Sequence, residues 1–249
     1  MRAEESPGLS AAKSIPAMTV CLLKSLPIAV TVIFIIDNLL MNLLAGYSII
    51  SLPWLALNWA ITVSWISFLI LDIVTKRFGP GAANVLSIIA AACNLTAALL
   101  CFALSKIFSN PALDLLLGGQ WSVFTASTVA FILSAILNNC LNALIGRLFR
   151  KDPDGKAAYA ARSFVSTFLS QFTDNFIFLF LAFFLFPMIP SALQVTWTIP
   201  QILGCSAVCA VLELVSEIVF SPIGYYTVKK WKEKNIGSAY IEKYGYKEE

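Results

Sequence analysis

The chain has 249 residues, 59% of them hydrophobic and 12% charged, with a formal net charge of +3. Soluble domains carry about 25% charged residues, so lipid rather than water must solvate most of this surface. The small net charge gives little support to nucleic-acid binding.

Residues 1–20 are polar and mixed in charge, and 1–25 read as a cytoplasmic tail, disordered or lying on a surface. Six apolar runs follow, at 26–46, 54–75, 84–107, 121–148, 162–187 and 198–228. Each offers about 20 residues or more, the length an α-helix needs to cross about 30 Å of hydrocarbon. None alternates with a period of two, so helices rather than barrel strands are expected. The connectors carry turn residues, as in Phe78-Gly79-Pro80-Gly81, Ser109-Asn110-Pro111, Gly118-Gly119 and Asp152-Pro153-Asp154-Gly155. Residues 231–249 read as a second cytoplasmic tail. The expected fold is an all-α membrane protein, a bundle of six transmembrane helices over residues 26–230.

Charge sets the expected orientation. Lys76 and Arg77 follow the second run, Arg147, Arg150, Lys151, Lys156 and Arg162 surround the connector after the fourth, and Lys229, Lys230, Lys232 and Lys234 follow the sixth. The connectors at 47–53 and 188–197 carry no Lys or Arg. By the positive-inside rule both termini face the cytoplasm, which requires an even number of spans. A multi-pass protein of the cell inner membrane is the expectation.

The six cysteines form no CxxC pair and read as small buried hydrophobes. Histidine is absent, which removes the commonest metal ligand and the usual neutral-pH proton shuttle. No metal, no cofactor and no catalytic constellation is expected. No signal-peptide cleavage site follows the first apolar run.

Polar residues recur inside the apolar runs: Asp37, Asn38 and Asn42 in the first, Asp72 and Thr75 in the second, and Asn94 in the third. Asn138, Asn139 and Asn142 lie in the fourth, Ser166, Ser170, Gln171, Asp174 and Asn175 in the fifth, and Glu213 and Glu217 in the sixth. A carboxylate at a helix centre costs at least about 2.5–3.5 kcal/mol, so such groups usually face a cavity or a partner. Arg162, Ser166, Ser170 and Asp174 recur every four residues and form one stripe, and Glu213 and Glu217 share a helix face. Trp65 lies two turns from Asp72 on the same side. The bland alternative is that the amides and hydroxyls merely bond neighbouring helices, at about 0.6 kcal/mol each. The acids argue for a wet central site, and Asp174, Glu217, Glu213, Ser170, Gln171, Asp72, Asn42, Asn139 and Trp65 are the expected solute contacts. Asp72 competes as a gate or helix cap. Two neighbouring carboxylates need a shared proton, a cation or a basic partner, for which Arg162 and Lys76 are the candidates.

Three segments together resemble the vitamin uptake transporter family, also called queuosine precursor transporters. They are Asp72-Ile73-Val74-Thr75 running to Gly79, the series Ser170, Asp174, Phe178, Ala182 and Phe183, and Glu213 to Glu217 followed by Ser221-Pro222. The resemblance spans residues 26–230 and implies uptake of a deazaguanine queuosine precursor. Many relatives carry glutamate where this chain has Lys76 and lysine where it has Glu213, and often glutamine and aspartate near Asn139 and Asn142. The acid at 213 favours a more cationic solute.

Carriage of a small polar heterocycle, ion-coupled or facilitative, is thus the expected function, with the bilayer as partner and a homo-oligomer an open option. No Walker loop is present, so an ATPase subunit would enter only if the chain were the substrate-binding part of an energy-coupling-factor importer. An intramembrane enzyme is the rival of another class. It would need a nucleophile–base pair or a metal cluster.

Overall fold

The computed structural model describes residues 7–108, 117–148 and 166–244, and their side chains except at 7–15, 135–148, 166, 167 and 217. Helices dominate it. They are α1 (Pro7–Ser25), α2 (Ile28–Ala45), α3 (Ser64–Phe78), α4 (Pro80–Ile107), α5 (Gln120–Leu148), α6 (Ser166–Phe180), α7 (Ile199–Glu233) and α8 (Ser238–Tyr244). A π-helical turn at Leu181–Leu185 and a 3-10 turn at Phe186–Met188 prolong α6.

Among the described residues, four helical segments are long and apolar enough to cross a bilayer: Ile28–Ala45, Pro80–Ile107, Phe168–Met188 and Ile199–Ser216. Their exteriors are apolar. On α2, Ile33, Ile36 and Leu40 are 49%, 51% and 43% exposed, whereas Asp37 and Asn42 are each 4% exposed. Apolar groups outward and polar groups inward is the pattern a helix adopts when lipid is its solvent.

Two expectations need correction. The molecule is not all-α, because β1 (Ser48–Ser51) and β2 (Ala56–Asn58) pair antiparallel after α2. The apolar run at 54–75 is therefore not one helix. Pro53 and the strand residues keep its first part extended, a 3-10 turn follows at Trp59–Thr62, and α3 starts only at Ser64. Pairing across the hairpin gives this segment's backbone groups partners that a broken helix would lack. The segment read as a tail at 1–25 is helical from Pro7, with Leu22 buried. Residues 231–244 are likewise packed, with Trp231 and Tyr240 buried against Phe78.

The turns follow the sequence chemistry. Gly79 takes φ +90°, a conformation strained for residues with a Cβ, and Pro80 then opens α4 with its fixed φ. Thr198 caps α7 by accepting from the Gln201 backbone, while the Gln201 side chain accepts from the Thr198 N–H. Gln201 Nε2 also donates to Leu52 O at 2.8 Å and ties α7 to the hairpin.

α2, α3, α4, α5, α6 and α7 close around a centre. α3 packs on α2, α4 and α7, α5 on α2, α4 and α6, and α6 on α7. The polar side chains that hydropathy forbids in lipid gather there.

Candidate functional site

Two adjoining cavities occupy that centre. The first, of about 130 Å³, is bounded by Asn42 of α2, Asn58 at the end of β2, Ser64 and Phe68 of α3, Asp174, Asn175 and Phe178 of α6, and Cys205, Cys209 and Glu213 of α7. The second, of about 170 Å³, is bounded by Asn38 of α2, Ser67 of α3, Asn94 of α4, Ser127 and Thr128 of α5, and Asp174 again. Met41, Phe68, Ser127 and Asp174 line both. Pockets for drug-sized ligands hold about 300–1,000 Å³, so either space suits only a small molecule.

Each acid is held by a neighbouring helix. Ser134 Oγ of α5 donates to Asp174 Oδ1 at 2.7 Å. Asn175 Nδ2 donates to both Glu213 oxygens, at 3.2 and 3.3 Å, and to Gln171 O one turn back at 2.9 Å. Helical periodicity makes this possible, because Asp174 and Asn175 sit side by side on α6 and look toward α5 and α7 respectively. On the other side, Ser67 Oγ donates to Asp37, while Asn38 Nδ2 donates to Ser67 Oγ at 3.1 Å. Asn42 Nδ2 donates to Asn38 O at 3.0 Å. Among the described residues, no lysine or arginine lines either cavity. The site therefore combines acceptors, amide groups and the flat faces of Phe68 and Phe178.

Of the expected solute contacts, Asp174, Glu213 and Asn42 meet in the first cavity. Ser170 and Gln171 lie one turn earlier on α6, outside the linings of both cavities. Trp65 and Asp72 do share a side of α3, but in a separate narrow cleft against α7. There Trp65 stacks on Phe220 with centroids 4.3 Å apart. Asp72 pairs with Lys76 at 2.7 Å, so the lysine considered for Glu213 is held by its own helix, and the partner found for Glu213 is the Asn175 amide. Glu217 and Asn139 have side chains outside the described residues, as do Asn138, Asn142, Ser166 and Arg162. Trp59 is 48% exposed in the 3-10 turn before α3, because the helix begins later than the apolar run.

Sequence reasoning passed over Ser67, Ser134, Asn58 and the pair Cys205 and Cys209. Serine and cysteine are ordinary in membrane helices and give no signal. Asn58 interrupts the apolar run from Trp54 to Val63, and that interruption could have found it.

A family model described as “Putative vitamin uptake transporter” matches residues 58–227. The chain belongs to that family. The matched stretch starts at Asn58 and takes in every cavity residue from α3 to α7. No curated protein and no solved structure matches the chain. Membership makes this a transporter-family chain, in keeping with its long apolar helices.

Proposed function

We propose that this vitamin uptake transporter family member carries a small polar heterocycle, a deazaguanine queuosine precursor or a purine-like relative, through six spans with both termini cytoplasmic. The observation that carries the reading is the first cavity, where Asp174 and Glu213 stand with amides and aromatic faces and no basic side chain among the described residues. Carboxylates accept the paired N–H donors of an amidine or guanidine edge through charge-assisted hydrogen bonds. Phe68 and Phe178 offer apolar faces to a flat ring. Glu213 in a position where many relatives have lysine favours a solute with cationic character. α3 and α5 supply the remaining two spans of this reading, with the hairpin completing the path of α3 through the membrane.

The test is thermal-shift screening of purified protein against deazaguanines, purines and vitamins, followed by uptake into proteoliposomes. A ligand that binds the native state alone raises the melting temperature by mass action. Asp174→Asn should abolish the shift and cut uptake about tenfold or more, since hydrogen bonds to charged groups contribute about 1.5–3 kcal/mol. Wild-type uptake by a normally folded Asp174→Asn protein would remove this residue from the solute site.

A further inference from the structure

Asn58 has none of the ordinary reasons to be an asparagine. It is 6% exposed where β2 ends, and its backbone, at φ −102° and ψ 166°, is in the extended region open to any residue. It precedes the 3-10 turn at Trp59–Thr62 but does not cap that turn with its side chain. Among the described residues its amide has no hydrogen-bond partner. Buried polar groups are nearly always bonded, so an unspent amide here needs an explanation. It is not walled in, unlike Asn94 Oδ1 and Gln120 Oε1, which are orphaned inside packed walls. Instead it borders the first cavity.

The other amides around that cavity are partly or wholly committed. Asn175 gives its nitrogen to Glu213 and to Gln171 O, and Asn42 donates to Asn38 O. Asp174 and Glu213, when ionised, can only accept. Asn58 is thus the lining carboxamide with both N–H groups unspent among the described residues, and backbone pairing with Ser48, not a side-chain bond, holds it in place. We propose that Asn58 is a specificity-determining contact of the solute, donating from its amide to a carbonyl oxygen on the ring while the acids take the solute's N–H donors.

The two kinds of group divide the recognition. A ring that carries both N–H donors and a carbonyl cannot satisfy the carbonyl on a carboxylate, so it needs a separate donor. In a space of about 130 Å³, a solute that touches the acids also meets the wall that Asn58 forms. A site built to bond one group of its ligand rejects the analogue that lacks it, because the site's own polar group is then left unpaired. The solute's being a heterocycle rests on the transport reading above. The unspent amide does not.

The first arm of the test uses no ligand. Asn58→Leu keeps the volume and deletes an amide that bonds nothing, so the purified variant should melt no lower than the parent. Asn38→Leu breaks bonds to Phe34 O and Ser67 Oγ and should melt about 2–4 °C lower. Asn58→Ala is the second variant, in case leucine crowds the cavity. If both Asn58 variants melt as far below the parent as Asn38→Leu, or fail to fold, the amide is structural and the proposal is overturned. The second arm titrates the melting temperature with guanine and with 2-aminopurine, which lacks the ring carbonyl. The Asn58 variants should need about tenfold more guanine for the same shift, while their response to 2-aminopurine changes less than about twofold. An unchanged guanine titration, or an equal loss with both probes, would overturn the carbonyl contact and leave the transport reading intact. If neither probe shifts the wild type, the heterocycle reading fails, and the ligand-free melts still decide whether the Asn58 amide is held for a ligand.

Discussion

Asn175 holds Glu213 by a single amide nitrogen placed almost equally between the two carboxylate oxygens, at 3.2 and 3.3 Å. Removing that donor leaves a carboxylate that is 8% exposed with one partner fewer. Asn175→Leu keeps the volume and deletes the donor, and should lower uptake about tenfold, because an unsatisfied buried group costs about 1–3 kcal/mol. Proteoliposome uptake at matched protein content measures it, and an unaltered rate would show that Glu213 does not depend on this contact. Ser134→Ala removes the Asp174 contact but leaves the acid itself, so its effect should be smaller than that of Asp174→Asn, about two- to tenfold. A larger loss than Asp174→Asn would mean that the hydroxyl, and not the acid, meets the solute. The acids were legible because a carboxylate in lipid demands a reason. Their hydroxyl and amide holders were not, because serine or asparagine in a membrane helix is unremarkable in sequence and becomes specific only when two helices are set side by side.

Glycines at the junction of α3 and α4 separate backbone strain from space. Gly79 and Gly81 both have open space where a Cβ would go, but only Gly79 has a positive φ, at +90°. Gly79→Ala should therefore destabilise by about 1 kcal/mol or more through strain alone. Gly81→Ala, at the second position of α4, should stabilise by about 0.5–1 kcal/mol through lower chain entropy and better helix propensity. Thermal melts of the two variants should move in opposite directions, and parallel movement would contradict the turn geometry. The Gly-Pro sequence made this turn legible. The hairpin at Ser48–Asn58 was not, since Trp54 to Val63 reads as apolar and only its pairing with Ser48–Ser51 reveals strand. Hydropathy counts apolar residues without asking whether they are wound into a helix, so a short helix with an extended lead-in looks like one long span. The same blindness applied to residues 231–244, which read as part of a tail. Arg77 instead donates to Ile236 O at 2.8 and 3.0 Å, and Tyr240 packs on Phe78.

The two ends of the bundle differ in charge, and this decides how the whole molecule should sit in the membrane. At one end, the hairpin and the segment from Ile189 to Thr198 lie together. Gln201 bonds Leu52 O, Trp121 Nε1 donates to Ser191 O at 2.7 Å, and a Cβ on Gly119 would meet the Leu193 backbone at 2.5 Å. Neither of these segments contains a Lys or Arg. At the other end, Lys76, Arg77 and the lysines at 229, 230, 232 and 234 gather where α3 and α7 finish and α8 docks. Translocating cationic residues is disfavoured, so the basic end should stay in the cytoplasm and the hairpin end should face outward. Ile50 and Met188 are 42% and 68% exposed at the uncharged end, and Lys234 is exposed at the basic end. A membrane-impermeant maleimide applied to intact cells should label Ile50→Cys and Met188→Cys above the parent background. Lys234→Cys should react only after permeabilisation. The reverse pattern would invert the molecule, and labelling of all three sites in intact cells would mean mixed insertion. In either case α7 would not deliver both its capped start to the outside and its lysine-rich end to the cytoplasm, and the outward-to-inward path past Asp174 and Glu213 would have to be redrawn.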